Sequence, residues 1–154
     1  MIFAFGDYQL DIDVERTRAF YQTAEMITAG CVCDGCSNYL AASDGFPESV
    51  KAFFSMLGVD VRKAAEIITW CSEDDGKALY YGGFYHICGR ILNHADCWEA
   101  NGSMNDTMYS ITAGYAVGFT ESVSLLETGF PMPALQMEIS FHQVPWLLDT
   151  KNTY

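Results

Sequence analysis

The sequence predicts an α+β fold in which N-terminal helices pack on one face of a mostly antiparallel sheet. Two observations predict it. After one early strand, apolar residues up to about position 65 recur at helical spacing, whereas from residue 66 onward they alternate with polar or small residues at the two-residue period of half-buried strands. The later runs alternate rather than stay continuously apolar, which favours an antiparallel sheet over a parallel one buried on both faces. With 154 residues, half of them apolar, and no linker, low-complexity run or internal repeat, the chain reads as a single domain over residues 1–154.

The first strand is "YQLDID", where Tyr8, Leu10 and Ile12 alternate with Gln9, Asp11 and Asp13. It runs into "DVERTRAFYQTAE", where Asp13 can accept from the free backbone N–H groups opening a helix that reaches about residue 25. A short helix is expected at "CSNYLAA" and a stronger one at "FPESVKAFFSMLG". Pro47 suits the first turn of the latter, Val50, Phe53, Phe54 and Leu57 form one apolar stripe, and Gly58 can take the left-handed closing position. Asp60 is expected to cap a last short turn, "VRKAAE".

The segment "IITWCSEDDGKALYYGGFYHICGRIL" offers two strands around the turn "EDDGK", with Gly76 supplying the positive φ. Its Gly82–Gly83 pair marks an expected bulge or bend. "ADCWEANGSMNDT" is a loop by composition. "YSITAGYAVGF" reads as one strand with Tyr109, Ile111, Ala113, Tyr115, Val117 and Phe119 on one face and small residues on the other. In "LQMEISFH", Leu135, Met137, Ile139 and Phe141 point inward, while Gln136, Glu138, Ser140 and His142 form a wet face. "VPWLL" closes the last strand, since Pro145 blocks further pairing and Trp146 can cover the sheet end.

Chemistry-bearing residues concentrate in "GCVCDGCSNYL", residues 30–40. Cys33-Asp-Gly-Cys36 has the spacing that lets two sulfurs share an ion, with Gly35 easing the turn; Cys31 is a third candidate ligand and His86 a fourth, and zinc is the ion such a set takes. Cys71, Cys97 and His94 are alternatives, but none completes a second C-x₂-C pair. The expectation for the cluster is therefore a helix start packed under the sheet with no cofactor, and metal binding is its rival. A dithiol redox centre asks for C-x-x-C at a helix N-terminus within a βαβ unit. The helix start is present, the parallel context is not, and Asp34 between the sulfurs opposes thiolate formation. His86 and Cys88, two apart on one strand, project in parallel, a poor geometry for a nucleophile and its base. No phosphate loop, nucleophile elbow, zinc-protease helix or calcium loop occurs, so no catalytic residue is assigned.

Four segments, "DVERTRAFY", "CVCDGCSN", "FFSMLGVDVRKAAEI" and "YYGGFYHICGRIL", followed by "MEISFHQVPWLL", together resemble a family of small uncharacterised bacterial proteins, largely from Gram-positive anaerobes and bacilli. The likeness spans nearly the whole chain. It implies the same order of elements and carries no activity. Cys88 stands where that pattern has an ordinary apolar residue, which argues against Cys88 as a ligand.

Charge narrows the partners. There are 20 acidic residues against 8 basic ones, for a net −12, and no Lys or Arg between Arg90 and Lys151. Nucleic-acid backbones and anionic membranes need clustered cations, so both are disfavoured. "MIFAFGDYQLDID" lacks a basic leader and a long apolar run, which points to a cytoplasmic location with reduced thiols. The leading functional expectation is a non-enzymatic protein that binds a basic protein surface by electrostatic steering, with a homodimer as a further possibility for its exposed aromatics. The alternative is a small metal-binding protein or enzyme built on Cys31, Cys33, Cys36 and His86.

Overall fold

The computed structural model describes residues 1–154 and has the α+β architecture. Strands β1 (Ile2–Phe5) and β2 (Tyr8–Ile12) precede helices α1 (Val14–Thr23), α2 (Ile27–Gly30), α3 (Asp34–Ser43) and α4 (Glu48–Met56). Then come β3 (Glu66–Glu73), β4 (Ala78–Ile91), β5 (Tyr109–Thr112), β6 (Tyr115–Thr120) and β7 (Ala134–Pro145). All seven strands join one antiparallel sheet, in the order β1-β2-β4-β7-β6-β5, with β3 also paired to β4.

The helices begin and end on local chemistry. Asp13 caps α1, its Oδ1 accepting from the Arg16 N–H at 3.0 Å. In α4 the stripe Val50, Phe53, Phe54 and Leu57 is buried, and Gly58 follows at φ +78°. Here Gly58 is required twice over, because a Cβ would also strike the Val14 carbonyl oxygen.

β4 is the central strand. On one side it pairs with β7 from Ala78 to Cys88; on the other it pairs first with β3, up to Phe84, and then with β2, from Gly89. That leaves an unpaired edge over residues 85–88, which α1 fills with hydroxyl groups. The Tyr21 hydroxyl donates to the His86 carbonyl at 2.9 Å and accepts from the His86 N–H at 3.2 Å. Thr17 Oγ1 accepts from the Cys88 N–H at 3.0 Å, and the Cys88 carbonyl accepts from the Asp13 N–H at 2.8 Å. Buried backbone groups that lost a strand are thus all partnered.

The sheet curls until its two ends meet. Phe5 of β1 packs edge-on against Tyr109 of β5 with ring centroids 6.1 Å apart, and the Tyr109 hydroxyl donates to Asp7 at 2.6 Å. α4 lies on the concave side, where Phe53 meets Phe3 and Phe5 and Phe54 meets Tyr85 and Phe141. The aromatic excess of the sequence is spent here, in edge-to-face contacts of one continuous core.

Several expectations need correction. "YSITAGYAVGF" is not one strand: it folds back at Ala113–Gly114, with Gly114 at φ +83°, to give the β5–β6 hairpin. The outer face of β7 is wet only in part. Ser140 and His142 are half-exposed, but Gln136 and Glu138 are 3% and 4% exposed, because the segments around Trp98 and Ser124 cover them. Composition marks the Trp98 segment as a loop and gives no hint that it lies on the sheet.

Asp60 caps a short turn as read, its Oδ1 accepting from the Arg62 N–H at 3.1 Å, but the turn covers only Val61 and Arg62 and Glu66 already belongs to β3. The register slips at Trp70 and Tyr80 rather than at the glycine pair. Gly82 and Gly83 instead admit close neighbours, since Cβ atoms there would strike the Trp70 indole and the Glu66 carbonyl oxygen. In the "EDDGK" turn Asp74 and Asp75 share the positive φ with Gly76, at 50° and 52°. β1 and α2 leave no periodic signal in the sequence, because the four residues of each are too few to establish a period.

Candidate metal centre

α3 presents the cysteine cluster, and its position is set from below. The Tyr81 hydroxyl donates to the Gly35 carbonyl at 2.8 Å, Asn38 Nδ2 donates to the Tyr81 hydroxyl at 3.2 Å and to the Pro145 carbonyl at 3.0 Å, and Asn38 Oδ1 accepts from the Leu147 N–H at 2.7 Å. Asn38 is fully buried and fully partnered, so the helix start has little freedom to shift. Gly35 permits the close approach: a Cβ there would strike Thr69 Oγ1 and crowd the Tyr154 hydroxyl. It is a packing requirement rather than the turn residue that the sequence suggested.

At this helix start Cys31, Cys33 and Cys36 bring their sulfurs within 4.8 Å of one another. Cys33 is the capping residue, its Sγ accepting from the Cys36 N–H at 3.4 Å, and Cys31 Sγ lies 3.2 Å from Cys33 Sγ. The expected helix start and the candidate ligand cluster are therefore the same structure. Cys33 is exposed, Cys31 half-buried and Cys36 buried.

The thiols differ accordingly. Burial works to raise the Cys33 thiol, but the Cys36 N–H and hydrogen bonds from Cys31, Cys36 and Tyr154 outweigh it and hold Cys33 below the usual thiol range. Asp34 does not reverse this. Burial, reinforced by the two neighbouring sulfurs, pushes Cys36 well above that range.

His86 lies elsewhere. It is outside the group of mutually close ligating atoms, and its Nε2 is 2.9 Å from the Ser124 carbonyl. It shares with Cys31 and Cys36 the wall of a largely apolar cavity of about 510 Å³, to which Phe20, Ile27 and Ile67 also contribute. Burial keeps its imidazole below the ordinary histidine value. His86 instead belongs to a buried polar chain. The Ser124 N–H donates to Gln136 Oε1 at 2.8 Å, Gln136 Nε2 donates to Glu138 Oε1 at 2.5 Å, and Trp98 Nε1 donates to the same oxygen at 3.1 Å. Burial raises the Glu138 carboxyl.

The remaining cysteines are scattered: Cys88 and Cys97 are buried, with Cys97 pushed up to about 12 by burial, and Cys71 is exposed on β3. The neighbour that sequence reading missed is Tyr154. Its hydroxyl accepts from the Gly35 N–H at 2.9 Å and sits beside Cys33, a contact across 119 positions that no local spacing could signal.

No helix is long and apolar enough to cross a membrane. No family model matches the chain, and no curated protein or solved structure does.

Proposed function

We propose that the chain binds a thiophilic metal ion, zinc, through Cys31, Cys33 and Cys36. The observation that supports this reading is the mutual approach of three sulfurs within 4.8 Å at a rigid, hydrogen-bonded helix start. Thiolate sulfur is the donor that zinc takes at tight sites, and three protein ligands leave one position for a solvent or substrate atom. The helix N-terminus favours the negative charge of Cys33. Cys36 must lose its proton on binding, so affinity falls as pH falls.

Elemental analysis of untagged protein purified without chelator tests the reading. About one zinc per chain is expected; a ratio near zero overturns it.

A second reading is a protein that binds a basic partner. It is favoured by Trp70, 57% exposed and laid across Gly82, next to Tyr80, which stacks on His142 at 3.9 Å. Asp74 and Asp75 stand in the turn that follows the same strand and pair with no Lys or Arg, whereas Glu73 is held by His142 and Gln143, so a basic surface would meet both an aromatic face and carboxylates. A pull-down at low and moderate salt tests it. Recovery of no salt-sensitive partner counts against it.

A further inference from the structure

Beyond metal binding, the arrangement of the three thiols supports a chemical reaction. We infer that Cys33 and Cys31 act as a dithiol that exchanges with small cationic disulfides. Cys33 is the exposed sulfur of the cluster, at the first turn of a ten-residue helix, where a substrate disulfide can reach it from solvent. Cys31 Sγ, 3.2 Å away and half-exposed, stands where a resolving thiol has to stand. Cys36 is buried beneath the pair, its backbone N–H directed at the Cys33 sulfur. This does not rest on the metal reading, since exchange needs two thiols and no ion.

The reaction closes without a further reagent. The Cys33 thiolate attacks one sulfur of the substrate disulfide R–S–S–R, forming the mixed disulfide Cys33–S–S–R and releasing RS⁻. The Cys31 thiolate then attacks the Cys33 sulfur, forming the Cys31–Cys33 disulfide and releasing the second RS⁻. Two protein thiols are oxidised, one substrate disulfide is reduced, and the two thiol protons pass through solvent to the released thiolates.

The substrate charge follows from the surroundings. Asp34 is the residue after Cys33, its one side-chain partner is the neutral Thr150 hydroxyl, and no Lys or Arg pairs with it. On a chain of net charge −12, an anionic disulfide is repelled and a cationic one attracted.

The test is incubation of the reduced full-length chain, with and without added zinc, in cystamine or in oxidised glutathione, followed by alkylation and mass mapping. Zinc-free protein is expected to lose the Cys31 and Cys33 thiols to a Cys31–Cys33 link, and to form that link about tenfold faster with cystamine at low salt, a preference that shrinks at high salt. Cys31→Ser should stop at the mixed disulfide on Cys33, Cys33→Ser should form no intramolecular link and lose the preference for cystamine, and Cys71→Ser should form the Cys31–Cys33 link at the wild-type rate. Six free thiols throughout, a link that involves Cys36, or faster reaction with oxidised glutathione overturns the inference. A chain that binds zinc yet never exchanges defeats the dithiol and leaves the metal reading standing. Exchange in a chain that binds no zinc does the reverse.

Discussion

The N-terminus of α3 and the outer face of β7 both gather groups able to titrate or ligate, and they use them in opposite ways. Over β7, Gln136 and Glu138 meet His86 of β4 and the Trp98 and Ser124 segments, and His86 Nε2, both amide atoms of Gln136, Glu138 Oε1 and Trp98 Nε1 each hold a hydrogen-bond partner. At α3 the sulfurs of Cys31, Cys33 and Cys36 face chiefly one another, the Cys36 N–H and the Tyr154 hydroxyl. Convergence alone does not make a site. What distinguishes the two regions is how far the converging atoms are already tied to fixed hydrogen-bond partners.

The sharpest way to break that comparison is to remove a sulfur. Cys33→Ser should lower zinc affinity more than about 100-fold, since changes even outside the ligand shell cost 10- to 100-fold; competition with a chromophoric chelator measures it. Unchanged affinity would mean that the cluster is only a helix cap.

Next in size is Tyr21→Phe, which strips the hydroxyl shared by both backbone groups of His86. It should cost about 2 kcal/mol in urea unfolding, the penalty for buried polar groups left unpaired, while zinc binding stays intact. Glu138→Gln should stabilise the fold at neutral pH by on the order of 1 kcal/mol, because a buried carboxylate is no longer ionised without a cation.

The signs of the pH effects follow from the two groups. The Glu138 carboxyl is raised above 4.5, so its contribution is present below that pH and is lost as pH rises through the folded value. The His86 imidazole is lowered below 6.5, so its contribution is present above that pH and is lost as pH falls through the folded value. Unfolding curves should therefore show Glu138→Gln gaining its advantage only above about pH 4.5. Smallest of all, His86→Gln should leave zinc affinity within about twofold, as expected of a distant, independent site. A large loss would return His86 to the ligand set.

Much of the architecture could be read locally. Asp13, the stripe Val50–Phe53–Phe54–Leu57 and the alternation in "YQLDID" each encode an element within one turn or one strand, and each forms as read. The cysteine cluster was visible for the same reason, its members lying within six residues. Readings failed where distant chain decided the outcome. Gln136 and Glu138 alternate like solvent-facing residues, and only the segments folded over them bury them. Tyr154 reaches Cys33 from the far end of the sequence. Gly114 interrupts a faultless two-residue pattern because periodicity does not register a reversal of direction.

The stand-in for a missing strand beside β4 has a dynamic consequence. The amide protons of His86 and Cys88 are held by Tyr21 and Thr17, not by a ladder, so solvent deuterium can reach them when α1 lifts, even while the neighbouring ladder amides stay protected. The exchange rates of two amides on either side of Ile87, in the middle of the molecule, would then read out the docking of one short helix.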